Sequence, residues 1–106
     1  MPDRLSQLTA LHEADPSDPF LTYGIALEHA KVHRFEEQVQ WLDRTLELDR
    51  EYAYAYYQKA KAYSELGKEA EARSVLETGI HVARQSTNPD AAHAAQEMQE
   101  LLETIG

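Results

Sequence analysis

His29 and His33 are the pair in this chain best spaced for chemistry. They stand four residues apart, on one face of any helix that spans them, with Glu28 and Glu36 close by. Imidazoles at that separation can share a divalent metal ion. Hydrolytic zinc chemistry also needs a glutamate directly after the first histidine, and Ala30 stands there. The pair is therefore read as solvated surface histidines, and no metal is expected. His12, His81 and His93 have no partner at a useful spacing. Glu36-Glu37 and the Glu69/Glu71 pair open helices, where negative charge favours the positive end of the helix dipole, and this explains them without catalysis. The sequence has no Gly-rich phosphate loop, no Gly-x-Ser-x-Gly elbow and no cysteine. A thiol nucleophile, thiolate metal sites and a disulfide framework are thus excluded. The expectation is a protein that is not an enzyme and uses no cofactor.

Charge bounds the partners. Nineteen Asp and Glu against ten Lys and Arg give a net charge of −9 and a pI near 4.9. Phosphate backbones and anionic lipid need cationic surface, so neither nucleic acid nor a membrane is an expected partner. No apolar run is long enough to span a bilayer. The opening residues Met1-Pro2-Asp3-Arg4 lack the basic and apolar segments of a secretory signal, which together with the missing cysteines predicts a cytoplasmic protein. At 106 residues, 42% hydrophobic and 27% charged, the chain suits one domain with a real core.

Helices must position whatever these residues do. Pro16 and Pro19 close one segment and open another, with Ser17 or Asp18 as cap; Gly67 follows Leu66 as a terminator; Asn88-Pro89 repeats the cap-then-proline start. The spacing predicts six helices over about 3–14, 19–32, 35–48, 52–66, 69–84 and 89–104. Phe20, Gly24 and Leu27 recur 36 residues later as Tyr56, Ala60 and Tyr63, and Gln38, Leu42, Thr45 and Leu46 recur 34 residues later as Ala72, Leu76, Gly79 and Ile80. That change of offset implies two extra residues near Val32-His33-Arg34. On a helical wheel the first repeat's leading helix then has a core stripe of Phe20, Tyr23, Gly24, Leu27 and Ala30, a polar stripe of Asp18, Thr22, His29 and His33, and a second apolar strip of Leu21, Ile25 and Val32. The helix over 52–66 has its core stripe at Tyr52, Tyr56, Ala60 and Tyr63, and its second strip at Tyr54, Tyr57 and Lys61. Trp41 is expected to pack against a neighbouring hairpin.

The pattern Tyr56…Ala60…Tyr63…Gly67…Ala72…Leu76…Gly79, preceded by Phe20…Tyr23-Gly24…Leu27…Gln38…Leu42…Thr45, resembles the tetratricopeptide repeat family. The resemblance implies an all-α, right-handed superhelix of antiparallel helix hairpins. One domain over 1–106 would hold a degenerate half repeat at 3–16, repeats at 19–51 and 52–84, and a capping helix at 89–104. Lys59, Gln38 and Arg50 depart from the family's usual Leu, Ala and Pro. The resemblance further implies a short concave groove for a peptide segment. It would be lined by Leu21, Thr22, Ile25 and Glu28 on one helix and by Tyr54, Tyr57, Gln58 and Lys61 on the next, flanked by Asp18 and Glu65. Tyrosine and aliphatic side chains suit an apolar anchor, and Lys61 an acidic group. The family's clamp for Glu-Glu-Val-Asp tails is not matched: Leu21, Ile25 and Gln58 stand where it has Lys, Asn and Asn. The expected partner is another protein or peptide. The alternative is a homodimer in which the groove strips bury each other.

The last segment is one-sided. Ala91, Ala94, Ala95, Met98, Leu101, Leu102 and Ile105 fill one arc, opposite His93, Glu97, Glu100, Glu103 and Thr104. Such a helix can close the open end of a solenoid.

Overall fold

The computed structural model describes residues 3–105, and the Met1-Pro2 start of the segment expected to lack a secretory signal lies outside them. Six helices follow one another: α1 Arg4–Ala14, α2 Pro19–Lys31, α3 Phe35–Leu48, α4 Ala53–Glu65, α5 Glu69–Gln85 and α6 Pro89–Ile105. Their ends follow the local chemistry. Asp3 accepts from the Ser6 amide at 2.8 Å, Asp18 from the Phe20 amide at 2.9 Å and Asn88 from the Asp90 amide at 3.0 Å. Each uses a short side-chain acceptor to satisfy an orphan N–H of the first turn.

Antiparallel neighbours pack in sequence, and α4 also meets α6, so the chain builds a tetratricopeptide-like right-handed superhelix. One core cluster joins α4, α5 and α6 through Tyr56, Ala60, Leu76, Ile80, Ala94 and Met98. A smaller one joins α2, α3 and α4 at Ala26, Leu42 and Ala55, with Trp41 packed against it. Trp41 also meets the edge of the His12 ring at 5.2 Å, tying α1 to α3. As its pattern predicts, α6 buries Ala91, Ala94, Ala95 and Met98 while its acidic side faces out.

The inferred two-residue insertion is not there. Helices α2 and α4 have 13 residues each and start 34 residues apart. Both end in the same turn, with a left-handed residue at His33 (φ 61°) and at Gly67 (φ 74°). The Arg34 amide donates to the His29 carbonyl at 3.0 Å, as the Lys68 amide donates to the Tyr63 carbonyl at 2.8 Å. A uniform period of 34 pairs Thr22 with Tyr56, Ile25 with Lys59, Ala26 with Ala60 and His29 with Tyr63. The core stripe of α2 is accordingly Thr22, Ile25 and Ala26, each with 0% exposure, while Phe20 is 62% exposed.

Candidate peptide-binding groove

That two-residue shift decides which side chains can meet a partner. Thr22 and Ile25, expected in the groove, are fully buried. The Thr22 hydroxyl lies 2.8 Å from the Thr45 hydroxyl of α3, inside the hairpin. Leu21 and Glu28 share the side of α2 that α1 occupies. A Cβ on the neighbouring Gly24 would come within 3.2 Å of Leu8. Glu28 is held by Arg4 of α1 at 3.6 Å and by Lys31 at 2.7 Å. The α2 half of the expected strip is thus closed by core packing and by the N-terminal helix.

The α4 half stands clear of this. Tyr54, Tyr57 and Gln58 are partly exposed and Lys61 is exposed. Tyr54 and Tyr57 meet edge to face at 6.2 Å, and the Lys61 ammonium lies 5.3 Å from the centre of the Tyr57 ring. On α2, the period of 34 puts Phe20, Tyr23 and Leu27 in the places that Tyr54, Tyr57 and Lys61 hold on α4. Sequence reasoning had assigned these three to the core, because α2 is apolar nearly all the way round. The two helices therefore share an open strip of Phe20, Tyr23 and Leu27 beside Tyr54, Tyr57 and Lys61.

Concavities lie at both ends of this strip. Toward the C-terminal ends of α2 and α4, Gln58, Lys61, Glu65 and the buried Gln38 line a space of about 170 Å³. Toward their N-terminal ends, Tyr23, Tyr52 and Tyr54 line one of about 320 Å³ with Asp49, Glu51 and Asp90. The Tyr23 and Tyr52 rings lie 4.8 Å apart with a 30° tilt. Burial pushes the Tyr52 phenol up to about 12, aided by Tyr23, Asp18 and Asp49. Burial also raises Tyr23, and it raises Tyr54 together with the nearby Glu97 and Asp90 carboxylates. Partial removal from water acts first at each phenol, and neighbouring negative groups add to it.

The histidine pair does not stay on one helical face. Helix α2 ends at Lys31, and His33 leaves it at positive φ to pack against Phe35, with ring centres 5.5 Å apart. His29 is half-buried, with its Nδ1 shielded and without a hydrogen-bond partner. Lys59, the departure from the family's leucine, bonds Asp43 of α3 at 2.6 Å and lies 5.8 Å from the centre of the Tyr63 ring. It thus keeps its stem in the hairpin and its charge paired.

Comparison with known proteins places this geometry among solved folds. The tetratricopeptide repeat family model matches residues 41–74. A tetratricopeptide repeat domain protein from Salinibacter ruber is 28% identical, with a TM-score of 0.76 over 86% of this chain and 89% of that one. PcrH, solved in complex with the chaperone binding region of PopD, has a TM-score of 0.87 at 18% identity, over 95% of this chain and 74% of its own. The second repeat domain of human RPAP3, in complex with an HSP70 peptide, has a TM-score of 0.70 at 23% identity, over 90% and 78%. No curated protein matches the sequence.

Proposed function

This chain is a tetratricopeptide-repeat protein, and from that premise we propose that it is a non-catalytic interaction module that binds a peptide segment of another protein along α2 and α4. The observation that carries this reading is the strip of Phe20, Tyr23 and Leu27 beside Tyr54 and Tyr57, apolar side chains that stay exposed or half-exposed although Tyr23, Tyr54 and Tyr57 pack on the edges of the cores. Leaving such surface in water is unfavourable by about 25 cal/mol per Å², and a bound segment relieves it. Two structural neighbours, PcrH and the RPAP3 domain, are solved with a segment of a partner, which supports the same use here. A Glu-Glu-Val-Asp tail is not the segment proposed. The corrected period moves Tyr23 and Leu27 into the places compared with the clamp's Lys and Asn, and neither can replace them. Among the described residues no helix is long and apolar enough to cross a membrane. The cysteine-free sequence supports a cytoplasmic location as part of this reading.

The test is selection from a random peptide library followed by affinity measurement. Leu27→Ser with Tyr57→Ser is expected to abolish binding of the selected peptides while helical content and solution mass stay unchanged. If the unaltered chain is instead a dimer at micromolar concentration and the double variant a monomer, the strip serves self-assembly.

A further inference from the structure

The open concavity beside Tyr23, Tyr52 and Tyr54 is lined by two kinds of group that act on the same kind of ligand. The faces of aromatic rings carry negative potential and attract a cation lying within about 6 Å of the ring centre. Carboxylates attract it at longer range and are screened by salt. Here Asp49, Glu51 and Asp90 line the same concavity as the three rings. Among the described residues, ion pairs engage Glu28, Asp43 and Glu97, and none engages those three carboxylates. Burial raises the phenols here, and neighbouring carboxylates, Asp49 at Tyr52 and Asp90 at Tyr54 among them, add to it. The whole chain carries −9, so long-range attraction also favours a basic partner.

We infer that this cavity receives a cationic side chain, a lysine or arginine of the bound peptide, held against the tyrosine rings that line it and neutralised by Asp49, Glu51 and Asp90. The inference rests on the groove reading for its peptide and adds that peptide's chemistry. Lys61 stands at the opposite end of the strip, beside Gln58 and Glu65. A segment lying along α2 and α4 thus meets a cation receptor at the α6 end and an ammonium at the other. This polarity favours a basic residue followed or preceded, several residues away, by an acidic group or a chain terminus. Rings matter as well as charge, because acidic surface alone would hold any cation loosely and lose it in salt.

The probe is a blocked seven-residue Gly/Ala peptide with one central lysine, compared with otherwise identical peptides carrying norleucine or glutamate. Binding to the full chain is read by nuclear magnetic resonance from the tyrosine ring signals. The lysine peptide is expected to shift Tyr23, Tyr52 and Tyr54 and to bind at least tenfold more tightly than either counterpart. Asp90→Asn with Glu51→Gln should weaken it about tenfold, and so should Tyr54→Leu, whereas Tyr54→Phe should retain it because the ring remains. Equal binding of the lysine and norleucine peptides overturns the inference. So does undiminished lysine binding by a folded Tyr54→Leu chain, which would reduce the site to acidic surface. The two readings fail separately. Library peptides that need Leu27 and Tyr57 yet ignore Tyr54 and Asp90 would leave the groove standing without the cage. Lysine binding at the three tyrosines, with no selected peptide sensitive to Leu27 and Tyr57, would do the reverse.

Discussion

Gly79 shows how one missing methyl group can decide a helix contact. Inside a helix, glycine is normally worse than alanine by about 1 kcal/mol, so Gly→Ala is expected to stabilise an ordinary position. Gly79 is not ordinary. A Cβ there would lie 2.5 Å from the Tyr56 Cβ and 2.7 Å from the Met98 sulfur, atoms on the two helices that flank α5. The Tyr56 Cβ is fixed by the α4 backbone, and the phenol is tethered by its bond to the Arg50 carbonyl at 2.9 Å. Gly79→Ala should therefore destabilise by about 1–3 kcal/mol in denaturant unfolding, the reverse of the propensity sign. A gain in stability would mean that α4 and α6 do not close on α5 as described. Gly67 is the opposite case. No atom lies within 4 Å of an added Cβ, but φ is 74°. Gly67→Ala should cost about 1–2 kcal/mol from backbone conformation alone. His33→Gly, at the matching turn, should gain part of the same amount, partly offset by the freer unfolded chain.

At the scale of elements, the two hairpins fill one position in different ways. Thr22 and Thr45 occupy the places of Tyr56 and Gly79, so two medium side chains replace a large one and none. Three short contacts serve that threonine pair: hydroxyl to hydroxyl at 2.8 Å, Thr22 to the Pro19 carbonyl at 3.0 Å and Thr45 to the Trp41 carbonyl at 2.9 Å. Two hydroxyl protons cannot fill three contacts at once. Thr45→Val leaves Thr22 with a carbonyl still in reach but no buried hydroxyl partner, and should cost about 1 kcal/mol. Thr22→Val with Thr45→Val should recover most of that loss, and additive costs in a double-mutant cycle would show the pair to be uncoupled. The same position explains what could be read in the sequence. All six helices were legible because Asp18-Pro19, Gly67 and Asn88-Pro89 are local signals, and α6 was legible because its apolar arc is narrow. The phase of α2 was not. Phe20, Leu21, Tyr23, Ile25, Leu27 and Val32 surround that helix, and its true core stripe includes a polar residue, Thr22. A hydrophobic wheel cannot choose among apolar faces, whereas the equal turns at His33 and Gly67 fix the choice. Tyr54, Tyr57, Gln58 and Lys61 stand outside the buried core of α4 as their phase predicts, whereas the mistaken phase of α2 put the buried Thr22 and Ile25 in the expected groove. Asp90, at the start of α6, meets Asp49 and Tyr52 of the α3–α4 turn only in three dimensions.

For the whole molecule, the aromatic end of the groove should control behaviour in alkali. Tyr52 ionises ordinarily near 10.0, and burial with the adjoining acidic groups pushes it up to about 12 in the folded chain. Below pH 10 the phenol is neutral in both folded and unfolded chains, and the contribution of Tyr52 to stability is fully present. Above that, the unfolded chain releases the proton while the folded chain retains it. The unfolded state thus binds fewer protons, and stability must fall as pH rises from about 10 to about 12. Burial raises Tyr23 and Tyr54 as well, so they act in the same direction. Other groups also titrate there: lysines lose charge, and repulsion grows on a chain already at −9. Comparing the chain with Tyr52→Phe separates the terms, because the variant keeps the ring and every other charge. The urea midpoint of the unaltered chain should drop more steeply across this window than that of the variant, with the two slopes alike below pH 9. Parallel slopes throughout would mean that the Tyr52 phenol is as free to ionise in the folded chain as in the unfolded one. The concavity between α2, α4 and α6 would then shield that phenol less than its burial implies.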